Sequence, residues 1–263
     1  MTTSMVRKDV SAWIRSPAIL RVLSVLVVAT IWEVAGRGEP LIASYPSQIL
    51  QAGIRTFNRD ILPAFVQTMK GFGVGFGLAI LFGVPIGLLM SRSRLLELSL
   101  APYVTALYAT PRVALIPVLI LWLGVDFNLR VGVVIVSGIF PVILNAYLGG
   151  KEVDRDLLDV GAAFAATNLQ RLRTIVVPGS LPYVYAGLRI GISRALIGAI
   201  VAELEVSSGG IGGLIKESAK ALRMAEMFAP IILLGLLSIA LSSGVRWLER
   251  RTTMPWLWTK AKG

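Results

Sequence analysis

The chain has no cysteine and no histidine. Without cysteine there is no disulfide and no thiolate metal site, and without histidine the commonest general base and metal ligand is missing. Charge is also scarce. Only 16% of the 263 residues are charged, and among them 26 basic residues face 15 acidic ones, for a net charge of +11. No acidic pair falls in the middle of an apolar run. These absences argue against a membrane-embedded enzyme. A passive channel, an ion-driven carrier and a scaffold that binds a partner without moving anything remain as rival classes.

The chain is rich in apolar residues, at 55% hydrophobic with a mean hydropathy of +0.75. Such a chain is solvated by lipid, and the backbone must then satisfy itself as helices or as a closed barrel. The apolar runs are continuous rather than alternating, which selects helices. Gly71 to Met90, Val131 to Gly150 and Met227 to Val245 carry no charge. Each is about the 20 residues that a spanning helix needs. Weaker spans fill the gaps, so the expected all-α membrane fold has spans near 19–35, 64–91, 98–125, 131–150, 181–202 and 227–245. These spans form one domain over 19–245, between tails at 1–18 and 246–263. The basic start of the chain resembles a signal peptide but lacks a small-x-small cleavage site, so it reads as an uncleaved first helix.

An even number of spans puts both termini on one side. With the termini inside, 15 basic residues lie in the inner segments and 7 in the outer ones. Basic loops favour the cytoplasm, so both termini are expected there, with the net positive charge facing anionic lipid rather than nucleic acid. Ile49, Leu50, Ile54 and Phe57 share one helical face between the first two spans, which predicts a short outer helix over 47–59, begun by Pro46 and Ser47. Gly73 with Gly77, Gly83 with Gly87 and Gly187 with Gly191 lie four apart, the spacing that lets helix backbones approach. Pro85, Pro111, Pro117 and Pro141 sit inside spans and are expected to bend them. No internal repeat is visible.

Between the fourth and fifth spans lies a polar loop, 151–180. Arg155 to Ala166 can form a helix with Leu157, Val160 and Phe164 on one face and Asp156 in the first turn, where a negative charge suits the helix dipole. Thr167 and Gln170 have capping-box spacing and begin a second helix that Pro178 is expected to end. The alanine- and glycine-rich patch at Gly161 to Ala166 offers little area to lipid and suits close approach to another protein.

This loop resembles the Glu-Ala-Ala loop of permease subunits of binding-protein-dependent ABC importers. The matching positions are Asp159, Ala162 and Ala163, Ala165, and Val177 with Pro178. The runs GLRIGISRALIGAIVAEL from Gly187, ATPRVALIPVLILWLG from Ala109 and FGVPIGLLMSRS from Phe82 resemble the nitrate/sulfonate/taurine branch. Trp32-Glu33 and Tyr45-Pro46-Ser47 also fit this branch. Three positions depart from the pattern: Ala165 replaces the usual glycine, Asp159 a glutamate and Val177 a leucine. At Ala165 a regular helical turn is expected in place of the glycine's special conformation.

The resemblance implies a non-catalytic inner-membrane permease that moves a small solute by alternating access. It holds no cofactor or metal. Its partners would be a second permease copy, two cytoplasmic ATPase subunits and an extracytoplasmic substrate-binding protein. Asp156, Asp159, Gly161, Ala162, Ala163, Phe164, Ala165, Ala166, Thr167 and Pro178 would form the ATPase-coupling segment. Cargo in this branch suggests a small organic or inorganic anion, with a neutral pyrimidine-type precursor as the alternative. Charges inside a bilayer are costly and point to function. Arg112, Arg189 and Arg194 therefore stand as pathway-lining candidates, with structural pairing as the other reading. Lys70 lies at a span edge, where snorkelling explains it. Glu203 and Glu205, at the outer end of span five, could dock the binding protein or simply be solvated.

Overall fold

The computed structural model describes residues 17–38, 44–206 and 209–257; the basic tail residues Arg7, Lys8, Arg15, Lys260 and Lys262 lie outside them. Helix α1 covers Pro17–Gly38, α2 Pro46–Thr56, α3 Leu62–Arg92, α4 Arg94–Ala109, α5 Ile116–Leu123 and α6 Phe127–Lys151. The polar loop holds α7, Arg155–Ala163, and α8, Asn168–Arg171. Then come α9, Val177–Val206, α10, Gly210–Lys220, and α11, Met224–Leu257. The described residues contain no strand. Among the described residues five helices are long and apolar enough to cross a membrane, and a bent pair, Arg94–Ala109 with Arg112–Leu123, meets the same test only when its two halves are taken together.

Helix α6 is the centre of the bundle, held between α3 and α9. The contact rests on small residues spaced four apart. Gly71, Gly75, Ala79, Gly83 and Gly87 form one buried stripe on α3. A Cβ at Gly75 would sit 2.7 Å from Val134, and one at Gly87 would sit 2.4 Å from the Ile143 carbonyl. On the other side of α6, Gly187 and Gly191 approach the carbonyls of Pro141 and Gly138. Small residues at this interval let backbones touch, the main source of helix association where lipid supplies no hydrophobic drive. Two of the three expected glycine pairs therefore pack inside the chain. The third does not: Gly73 and Gly77 meet nothing within 4 Å, because they lie on the opposite phase of the helix.

The expected third span is not one helix. It breaks at Thr110 and Pro111 with a bend of 100°. Pro111 has an extended backbone, and a short 3-10 turn, Arg112–Leu115, leads into α5. Pro117 falls in the first turn of α5, where no donor is missed, while Pro85 and Pro141 lie inside unbroken helices.

Two expected helix ends are absent. The outer helix and the second span run on through a π turn at Phe57–Ile61, as one helix from Pro46 to Arg92. Likewise Pro178 does not end its helix, which continues from Asn168 to Val206 through a π turn at Leu172–Val176. In both places the wide turn stops two residues before a proline, Pro63 or Pro178. Widening the helix there gives the ring room and absorbs its missing N–H.

Helix α1 packs little against the rest, and its apolar side chains, Val22, Val25 and Val28 among them, face outward as lipid solvent requires. One end of it is pinned. Glu33 accepts hydrogen bonds from the Ser47 backbone N–H at 3.0 Å and from its hydroxyl at 2.7 Å, at the start of α2. Trp32 donates to the Ser44 carbonyl at 2.9 Å and meets Phe228 edge-on. The early Trp-Glu and Tyr-Pro-Ser motifs are thus two halves of one joint.

Candidate functional site

Three places concentrate polar side chains. The first is the polar loop. Asp154 caps α7 by accepting from the Asp156 N–H at 3.0 Å. The helix stops at Ala163 because the chain turns left-handed at Ala165, φ +55°. There the Ala166 N–H donates to the Gly161 carbonyl and the Ala165 N–H to the Ala162 carbonyl. These are the paired bonds of a Schellman ending. The regular helical turn expected at Ala165 is therefore wrong: alanine adopts the conformation usually left to glycine. Thr167 then opens α8 with a complete capping box, its hydroxyl accepting from the Gln170 N–H and its own N–H donating to the Gln170 side chain.

The loop has an inner and an outer face. Gly161 faces inward, where a Cβ would stand 3.0 Å from Ile175 and 3.2 Å from Arg171, so it brings α7 close to its own chain rather than to another protein. Leu158, Leu172 and Ile175 pack on the buried cluster of Leu88, Ala146, Val153, Val176 and Val184. The outer face is open. Leu157, Val160 and Phe164 are 51%, 53% and 83% exposed, beside exposed Asp156, Asp159, Ala162 and Ala163. Nearby, Glu97 accepts from Tyr147 and Lys151 at 2.6 and 2.8 Å, which ties the start of α4 to the end of α6.

The second place is a cleft of about 390 Å³ at the broken helix. Tyr108, Thr110, Arg112, Ser137 and Arg194 line it with apolar neighbours. Arg112 donates to the Tyr108 carbonyl at 3.1 Å, and its guanidinium lies 5.6 Å from the centre of the Tyr108 ring. Arg189 is elsewhere, bonded to Glu249 of α11.

The third place is at the opposite end of α9 from the loop. Glu203 is fully buried, so it cannot present its carboxylate to a docking protein; that expectation is overturned. It accepts from Thr68 of α3 at 2.9 Å and from the Gly212 N–H of α10 at 2.9 Å, with Arg130 of α6 3.8 Å away. The Thr68 hydroxyl in turn accepts from the Ile211 N–H, and Gln67 from the Gly210 N–H. Four helices thus meet at one carboxylate, which lies at the positive end of α10. The turn before it needs Gly209 and Gly210, with φ of +83° and +72°. Glu205 remains exposed, and its carbonyl accepts from Lys216. Helix α10 has no counterpart in the sequence-based expectations, although Gly209-Gly210 is a loop signal ahead of an apolar stretch.

Residues 75–254 match the family described as binding-protein-dependent transport system inner membrane component. The formylaminopyrimidine transport permease protein ThiX of Halalkalibacterium halodurans is 30% identical over 233 residues, 88% of this chain and 93% of the relative. The nitrate import permease protein NrtB of Synechocystis is 25% identical over 92% of both chains. The taurine transport system permease protein TauC of Escherichia coli is 25% identical over 90% of this chain and 89% of its own. A chain of the inward-facing MetNI methionine ABC transporter shares the fold, with a TM-score of 0.66 at 18% identity over 73% of this chain and 96% of that one.

Proposed function

The chain belongs to the family of binding-protein-dependent transport system inner membrane components, and on that premise we propose how its parts divide the work. It is the multi-pass, non-catalytic permease of an ABC importer, partnered by a separate ATPase and a substrate-binding protein. The exposed face of α7 is the surface that the ATPase grips. One observation carries this assignment: Leu157, Val160 and Phe164 stand open to solvent on a helix whose other face is locked to the bundle. Asp156, Asp159, Ala162 and Ala163 border that face. Gly161, Ala165, Ala166 and Thr167 shape it from behind.

Force applied at α7 enters the membrane through one unbroken helix, Asn168 to Val206, in which Pro178 sits. Nucleotide in the ATPase biases two packings of the bundle, so the pathway opens alternately to either side. Two copies of the chain and two ATPase subunits make up the assembly, with both termini in the cytoplasm. The cargo is a small anion, in keeping with the nitrate and aliphatic sulfonate relatives. The ThiX relative favours a second reading, a neutral pyrimidine-type precursor.

The test of the coupling face is recovery of the ATPase with purified permease. Phe164→Ala and Asp159→Ala should each lower that recovery while leaving the thermal transition of the permease intact. ATPase recovery equal to that of the native chain would refute the assignment.

A further inference from the structure

We infer that Arg112 and Arg194 form an anion-binding subsite in the cleft at the broken helix. The arginines of the bundle are matched unequally. Arg130 has Glu203, and Arg189 has Glu249. Among the described residues no ion pair joins Arg112 or Arg194 to a carboxylate, yet both line the same cleft. The Arg112 Nε is buried with no hydrogen-bond partner among the described atoms.

A guanidinium at membrane depth is costly unless it is paired or lines a water-filled cavity. Two of them on one cleft, Arg112 half-buried and Arg194 exposed, concentrate positive potential beside a largely apolar wall. An anion offsets that potential and supplies the acceptor that the Arg112 Nε lacks, and the guanidinium fork suits the oxygens of a nitrate, sulfonate or carboxylate. Space is sufficient, because about 390 Å³ lies within the range of small-ligand sites, about 300–1,000 Å³. Ser137 and Thr110 add hydroxyls to the same wall. The break at Pro111 is what turns Arg112 toward this space rather than along a continuous helix. By the same count Arg189 leaves the pathway-lining set, since its partner on α11 explains it.

This subsite rests on the reading of the chain as an importer of a small anion, and it specifies where the negative group is held. The two can fail separately, because the test uses the permease alone in nanodiscs, without ATPase or nucleotide. Sodium ethanesulfonate and sodium nitrate are titrated at constant ionic strength against sodium gluconate, with ethanesulfonamide as the neutral counterpart. The native chain should show saturable binding of the anions and none of the amide. Arg112→Gln and Arg194→Gln should each weaken anion binding about tenfold or more, the worth of one charge-assisted hydrogen bond. Lys220→Gln, which removes an exposed positive charge on α10, should leave it unchanged. No saturable binding to the native chain, equal binding by the two arginine variants, or equal binding of the amide would each overturn the subsite. None of these outcomes bears on ATPase recovery.

Discussion

Restoring glycine at Ala165 should tighten the polar loop. Ala165 holds φ +55°, where its Cβ crowds the following carbonyl at a cost of about 1–2 kcal/mol. Glycine removes that cost but makes the open form more flexible, which returns roughly 0.5–1 kcal/mol. The Ala165 methyl is exposed, so no packing is lost. Taking the middle of both ranges, the net gain for Ala165→Gly is about 0.5–1 kcal/mol, a two- to fivefold shift in the opening equilibrium. Amide hydrogen exchange reads this directly, because the N–H groups of residues 165 and 166 make the two bonds that close the turn. Both amides should exchange roughly two- to fivefold more slowly in the glycine variant. In Ala165→Val, whose branched Cβ is worse placed, they should exchange faster. Unchanged or faster exchange with glycine would mean that the left-handed turn costs nothing here, and the account of the loop's shape would be wrong.

Two further outcomes test the bundle. Gly87→Ala puts a methyl 2.4 Å from the Ile143 carbonyl and should cost about 1–3 kcal/mol in unfolding, whereas Gly77→Ala, in open space on the same helix, should be nearly neutral. Equal stability of the two variants in denaturing-detergent titrations would refute the packing stripe. Glu203→Ala removes the carboxylate beside Arg130 and the acceptor that Thr68 and the start of α10 share. It should destabilise by about 3–5 kcal/mol, with Glu203→Gln milder because its amide oxygen still accepts from Gly212. Melting temperatures of the nanodisc-embedded variants decide it, and an unchanged value for Glu203→Ala would reject the four-helix joint.

The spans were legible because an uncharged run of about 20 residues has few other solutions in a protein. The capping box at Thr167 was legible for a similar reason, since a cap is a local transaction between neighbours. The glycine stripe was only half legible. Gly73 and Gly77 have the same spacing as Gly71 and Gly75, and only Ala79, continuing the second series to Gly83 and Gly87, marks the buried phase. Glu203 misled because Thr68 is 135 residues away, and the one amide it accepts from, Gly212, belongs to a helix that the sequence did not announce. Charge beside a span end reads as solvated until the fold brings a second helix over it. The break at Pro111 and the continuity through Pro178 show the same limit. One proline lacks a wide turn ahead of it and the other has one, and nothing in the residues themselves states which.

The wide turn at Leu172–Val176 also acts as a dial. One surplus residue in a helix of 3.6 residues per turn advances everything beyond it by roughly 100°. The azimuth at which Phe164 points, relative to the Gly187–Gly191 seam, is therefore set by a single unit of chain length in a segment that forms neither. A lineage that lost or gained one residue there, and repacked Leu172 and Ile175, would re-aim this protrusion toward a differently shaped motor with the exposed face and the glycine seam unchanged in sequence.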